Sequence, residues 1–334
     1  MSQPQDDIPS VADRARPVQV GAPVVDIGFI GDTAVFVLGE ETLLLVPREG
    51  EPRRVAVHGG GILASACDGK RMLTGGDDGR VVVTDTAGAP ATVATDERRR
   101  WVDQVALGPG GVLAWSVGKQ AHFRTAKGGE RALDLPSTPG ALAFAPKGTR
   151  LAIAHYNGVT LWFPNAQAAP EVIEWKGSHL GASFSPDGRF LVTSMQEATL
   201  HGWRLVDRND MRMSGYTARV RSMSWSVDGK WLATSGSTQA VLWPFQAKDG
   251  PMGKSPKMLA PAGEQSEAVA CHPKDGVVAI GYADGLVLIA RIDDGAEILA
   301  RRPAGAAISA LAWDRTGKFL AFGTEDAEAG VIHF

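Results

Sequence analysis

The sequence predicts an all-β fold, a ring of small antiparallel sheets none of which can stand alone. Three observations predict it. The stretch SFSPDGRFLVTS (Ser183–Ser194) returns 41 residues later as SWSVDGKWLATS (Ser224–Ser235). The same pattern recurs along the chain with a period near 40 residues, the signature of a repeat architecture. Between the glycine-containing turns the runs are short, Leu-rich, β-branched or aromatic, and none sustains a helical period.

Each element can be placed from these repeats. The end of the first run in each unit falls at Phe29, Ser65, Leu107, Phe144, Phe184, Trp225, Cys271 and Trp313, in steps of 36 to 46 residues. A first turn follows, clearest as CDGK at 67–70, PDGR at 186–189, VDGK at 227–230 and RTGK at 315–318. Glycine there supplies the positive φ of a tight antiparallel connection. The second run is RMLTG, RLAIA, FLVTS or WLATS, and it ends in a second turn such as GGDDGR at 75–80, HYNGV at 155–159 or GYADGL at 281–286. A third run follows, for example VVVTD, VTLWF or LVLIARI. A weaker fourth comes at 53–57, 92–95, 131–135, 171–175, 257–260 and 297–301. A four-stranded sheet of this size cannot bury its own faces, so neighbours must stack. The count is eight sheets, with seven as the alternative because the first unit lacks the usual turn glycine at Thr33.

From residue 17 onward the pattern resembles the WD40 family of β-propellers. The resemblance implies a propeller closed by an N-terminal strand: the chain ends after GVIHF without a fourth strand, and PVQV at 17–20 is unassigned. Residues 1–15 are then expected as a disordered tail and 16–334 as a single propeller domain. The family's set of His, Ser or Thr, Asp and Trp is broken apart. Trp162, Trp203 and Trp243 hold the Trp position, with Asn157, Glu197 and Ser237 near the Asp position; Asp78 and Asp284 are present where Thr84 and Ala290 replace the Trp. Gly215-Tyr216 is the surviving form of the Gly-His dipeptide. Blade cohesion is therefore expected from apolar packing more than from that network.

Composition narrows function. Thirty-four basic and 37 acidic residues leave a formal charge of −3, which gives no general attraction to polyanions and disfavours nucleic acid as a partner. No apolar run approaches a membrane span and the start has no signal-like apolar stretch, so the reading places the chain in the cytoplasm, off the membrane. Cys67 and Cys271 are far apart, and they read as small buried or half-buried hydrophobes rather than a disulfide or thiolate site. The seven histidines, at 58, 122, 155, 179, 201, 272 and 333, show no HxH or HExxH spacing and read as surface or turn positions. No catalytic motif, phosphate loop, metal site or cofactor site is expected.

Aromatic and basic residues do fall in a pattern. On WD40 topology, the loops between units and the second turns share one face. Tyr156, Tyr216, Tyr282, Trp101 and Trp175 map there, with Arg98, Arg99, Arg100, Lys176 and Arg219. Trp, Tyr and Arg dominate binding energy at protein interfaces. The reading is therefore a non-catalytic scaffold or adaptor that binds a protein or peptide on this face. An enzyme or metal-dependent site at the propeller axis, and single-stranded nucleic-acid binding by stacking, are the alternatives. The loop 246–258 is expected to be exposed and semi-ordered.

Overall fold

A computed structural model describes residues 8–334. Apart from two short 3-10 turns at Ala12–Arg14 and Pro109–Gly111, its regular structure is entirely β, in antiparallel sheets of four strands and one of six. The chain is described as two compact units, one of residues up to 39, 43–54 and 215–334, the other of 40–42 and 55–214. No helix among the described residues is long and apolar enough to cross a membrane.

The first unit holds the closing sheet. β1 (Ala15–Gln19) lies along β30 (Glu328–His333), which continues into β29 (Phe319–Thr324) and β28 (Ile308–Trp313). The register runs from Ala15 opposite Ile332 to Gln19 opposite Glu328. The N-terminal strand thus supplies the fourth strand that the C-terminus lacks. The other sheets of this unit are β2 (Val24–Ile30), β3 (Thr33–Leu38) and most of β4 (Thr42–Val46), with the start of β5 (Arg53–Ala56), then β20 (Met223–Trp225) to β23 (Lys257–Leu259) through β21 (Trp231–Thr234) and β22 (Ala240–Pro244), and β24 (Ser266–Cys271) to β27 (Glu297–Arg301) through β25 (Val277–Tyr282) and β26 (Val287–Arg291).

Part of the segment expected as a disordered tail, 1–15, is ordered. Residues 1–7 lie outside the described residues, but from Ile8 the chain is held. The Val11 amide donates to the Leu299 carbonyl at 2.9 Å and the Leu299 amide to the Pro9 carbonyl at 2.8 Å. The reason is the open outer edge of β27, whose backbone groups need partners.

The second unit runs in chain order: β6 (Ile62–Cys67), β7 (Arg71–Gly76), β8 (Arg80–Asp85) and β9 (Pro90–Thr95); then β10 (Val102–Leu107), β11 (Leu113–Val117), β12 (Gln120–Arg124) and β13 (Glu130–Asp134). Its last sheet has six strands, β14 (Ala141–Phe144), β15 (Leu151–Trp162), β16 (Glu171–Phe184), β17 (Phe190–Met195), β18 (Leu200–Arg204) and β19 (Asp210–Met213). Two repeat units share it. β15 carries both the second and third runs of the fourth unit, bending at Asn157-Gly158 with φ of 68° and 149°. β16 carries the outer run of that unit and the inner run of the next. Counted as sheets there are thus seven, the alternative number; the eight sequence repeats all persist within them.

Within each unit the core lies between neighbouring sheets. In the second, Leu73 and Val81 pack with Val102, Leu113 and Trp115, and Phe123 packs with Leu151, Ile153 and Trp162. In the first, Ile280 and Leu288 pack with Leu242 and Val269, and Val18 and Val20 pack with Phe36 and Ala321. Burying each such side chain contributes roughly 1.5–3 kcal/mol, which no isolated sheet can obtain.

Candidate docking surfaces

Polar networks inside the blades decide which sequence-selected residues reach solvent. In the repeat at 209–243, Trp243 Nε1 donates to the Tyr216 hydroxyl at 2.6 Å, Tyr216 donates to Thr234 Oγ1 at 2.8 Å, and Thr234 donates to the Val241 carbonyl at 2.9 Å. Tyr216 is buried, and burial, against its two hydrogen bonds, pushes its phenol well above the usual value. Tyr282 is also fully buried, with its hydroxyl on the Ala260 carbonyl. Both tyrosines therefore leave the expected docking face. A phenol is long enough to place its ring in the core and its oxygen on an internal partner.

Histidine fills the same slot elsewhere. His58 Nδ1 donates to Asp78 Oδ1 at 3.0 Å, and its Nε2 accepts from Thr74 Oγ1 at 2.9 Å. Burial holds His58 below the usual imidazole value despite Asp78. Asp78 is held low: burial opposes ionisation, but the Gly59 amide, His58 and Arg80 stabilise the carboxylate. In the fifth repeat His179 Nε2 donates to the Trp175 carbonyl at 3.0 Å and Nδ1 accepts from Thr193 Oγ1 at 2.8 Å. Five of the seven histidines, His58, His155, His179, His201 and His272, are buried, so the expected surface or turn placement fails for them. The polar network is more intact than the sequence reading allowed. Cys67 departs from its reading as well, being exposed, while Cys271 is half-buried with its thiol pushed up to about 12 by burial.

Seven of the residues expected on the docking face belong to the second unit. Its inter-blade linkers and second turns interlock: the Asp96 amide meets the Gly79 carbonyl, the Leu135 amide the Lys119 carbonyl, and the Tyr156 amide Ser137 Oγ at 3.1 Å. The Gly177 amide likewise meets Asn157 Oδ1 at 3.2 Å. Arg98, Arg99, Arg100 and Trp101 lie in one of these linkers, and Tyr156, Trp175 and Lys176 lie close to the Asn157-Gly158 bend. Trp101 is 64% and Tyr156 59% exposed. Arg100 is held by Asp96 at 2.7 Å in a turn where Arg99 takes φ of 52°, which leaves Arg98 and Arg99 outward. Trp175 is half-buried, stacked on His201 with centroids 3.8 Å apart, and with Asn157, Glu174 and Lys176 it lines a hollow of about 540 Å³.

A second surface, in the first unit, escaped the sequence reading. The innermost strands carry a β-bulge near their start, between Val24 and Asp26, Ser266 and Ala268, and Ile308 and Ala310. The bulged residues Val25, Glu267 and Ser309 line a cleft of about 460 Å³ with Asp26, Arg221 and Glu325. Arg221 Nη1 lies 3.5 Å from Glu267 Oε2. Burial raises the Glu267 carboxyl, Arg221 opposes this, and Glu325 adds to it. Arg219, exposed nearby in sequence, also acts on Glu267. The bulged residues share no chemistry, so only a break in apolar alternation, as at Val24-Val25, could have signalled them.

Among the described residues no group of three or more His, Cys, Asp or Glu is placed to hold a metal ion. Residues 209–243, the repeat with the Tyr216–Thr234–Trp243 network, match the family described as WD domain, G-beta repeat. The crystal structure of a computationally designed protein, Ika8, is similar with a TM-score of 0.73 at 15% identity, covering 96% of this chain and 98% of that one. At that identity the likeness concerns the fold alone. Among curated proteins no sequence matches the chain.

Proposed function

We propose that this chain, a WD40-repeat β-propeller, is a non-catalytic scaffold that grips a protein or peptide partner on the linker and turn end of residues 55–214. The observation that carries the reading is the exposure of Trp101 and Tyr156, 64% and 59%, in the same unit as exposed Arg98, Arg99 and Lys176. Two large aromatics held outward by ordered backbone offer area at little entropic cost, and the basic side chains around them add directed hydrogen bonds. Trp175, half-buried and backed by His201, adds a rigid aromatic to the same unit.

The test compares affinity purification from the native cell with the unaltered protein and with Trp101→Ala/Tyr156→Ala. Both positions are exposed, so the variant should unfold at the unaltered midpoint. The reading expects at least one stoichiometric protein to be depleted tenfold or more, because each interface hot spot is worth about 2 kcal/mol or more. An identical set of captured proteins at unchanged yield would refute this surface.

A further inference from the structure

We infer that the first unit carries a binding site for a small organic anion with a flat apolar body, in the seam between the closing sheet and the sheet of β2–β5, independently of the docking surface proposed above. A hollow of about 330 Å³ opens there, at the strand ends bearing the Gly31-Asp32 turn. That volume lies at the small-ligand end of the range for pockets and is too confined for a folded partner. Its floor is apolar, made by the buried side chains of Phe29, Ala34, Val46 and Val331.

The rim is arginine. Arg14, Arg16 and Arg48 all line the hollow, and none has a carboxylate within 4 Å among the described residues. Elsewhere in the chain arginines commonly sit on a carboxylate, as Arg80 on Asp78, Arg204 on Asp207, Arg208 on Glu171 and Arg301 on Glu328. Three unneutralised guanidinium groups around one apolar floor are a repulsive arrangement, which an anion relieves. Two are already positioned. Arg16 Nη2 donates to the Pro47 carbonyl at 3.3 Å, and Arg48 lies over the Phe319 ring with Cζ 5.1 Å from its centroid. His333 stacks on the same ring at 4.6 Å and 15°.

The remaining charged groups lining the hollow are Asp32 and Glu49, both exposed and neither ion-paired among the described residues. They reduce the net charge of the rim without closing on the arginines. A ring inserted over the floor of Phe29, Ala34 and Val46 would meet apolar surface, and its acidic group would meet planar guanidinium donors, the geometry best suited to a carboxylate, sulfonate or phosphate.

The test uses 1-anilinonaphthalene-8-sulfonate as probe, an aromatic monoanion that fluoresces on leaving water, with uncharged N-phenyl-1-naphthylamine as its control. The expected result is saturable one-site binding of the sulfonate, weakened at least tenfold in Arg16→Glu and in Arg48→Glu, with the neutral dye bound more weakly and equally by all three proteins. Both arginines are exposed, and thermal melts check that the variants fold. If a variant does not fold, neutral Arg48→Gln with an unaltered melt is read in its place. Absence of saturable binding, equal affinity in the variants, or tighter binding of the neutral dye would overturn the site.

Discussion

At the scale of single residues, His201 concentrates a cost that the fold accepts. Both ring nitrogens are buried without a hydrogen-bond partner, with Asp210 no closer than 3.8 Å. Trp175 covers one ring face and Trp203 meets it edge-on at 4.7 Å. Burial first, then the neighbouring His179 and Arg212, lower its pKa to about 3. A histidine that stays neutral when folded but protonates when unfolded makes stability depend on pH in one direction. Its contribution is intact above the unfolded value of 6.5 and is lost as pH falls from there toward 3. His58, His122 and His179, all lowered chiefly by burial and all in the same unit, act in the same sense. Replacement of His201 by Phe should therefore leave stability near neutrality little changed and recover about 2 kcal/mol at pH 5. Urea unfolding at pH 7.5 and pH 5 measures this; a variant whose stability falls with pH as steeply as the unaltered protein would show that His201 is not the sensor. None of this was legible beforehand, because a histidine's burial depends on the strand face and the neighbouring tryptophans, not on local spacing.

At the scale of elements, the second strand of several blades ends in a glycine whose role is space rather than turning. Gly75, Gly281 and Gly323 sit one residue before the end of β7, one before the end of β25 and one before the end of β29. A Cβ at these positions would lie 2.6 Å from the Val102 carbonyl, 2.4 Å from Ile308 and 2.5 Å from Val24, in each case the start of the next sheet's inner strand. Each glycine is opposed by an alanine on its own sheet, Ala64, Ala268 or Ala310, just past a bulge. The bulge pushes one inner strand forward and the glycine and alanine pair receives it, which is how adjacent blades approach. Gly281→Val should overpack this contact by about 1–3 kcal/mol, whereas Gly276→Ala, in a first turn with open space around it, should be nearly neutral. Thermal melts of the two variants decide it, and equal midpoints would remove the packing role. The strands themselves were legible: fourth runs read at 53–57, 131–135 and 297–301 correspond to β5, β13 and β27. Turn chemistry and period-2 patterning are local, so the sequence displays them. The bulges and the glycine seats answer to a neighbouring sheet and leave no local mark. For the docking face, the same reasoning separates Trp101, in a linker, and Tyr156, beside the Asn157-Gly158 bend, from Tyr216, read as lying before a first strand, and Tyr282, read in a second turn, which reach inward to Thr234 and to the Ala260 carbonyl.

At the scale of the whole molecule, the period near 40 residues made the succession of small antiparallel sheets readable, because a repeat that cannot shield its own faces has few ways to become stable. The same logic makes the two chain ends interdependent. The last sheet takes three strands from the C-terminus and one from the N-terminus, over five residue pairs. Val18 and Val20 are buried against Phe36, Ala321 and Val331, while Pro9 and Val11 cover the outer edge of the neighbouring β27. Removal of residues 1–20 would expose the edges of both β30 and β27 and uncover two valines worth on the order of 1.5–3 kcal/mol each. Exposed β edges pair with other chains. The truncated protein is expected to unfold at a clearly lower temperature and to self-associate on size exclusion. Adding a synthetic peptide of residues 8–20 should restore both properties, since its contacts are made by strand pairing alone. Val18→Asp, which keeps the backbone pairing and breaks only the buried contact, should lower the midpoint without inducing association. A truncated protein that melts unchanged and stays monodisperse would mean that the closing sheet holds with three strands, and that the N-terminal segment is an ornament of the fold rather than its clasp.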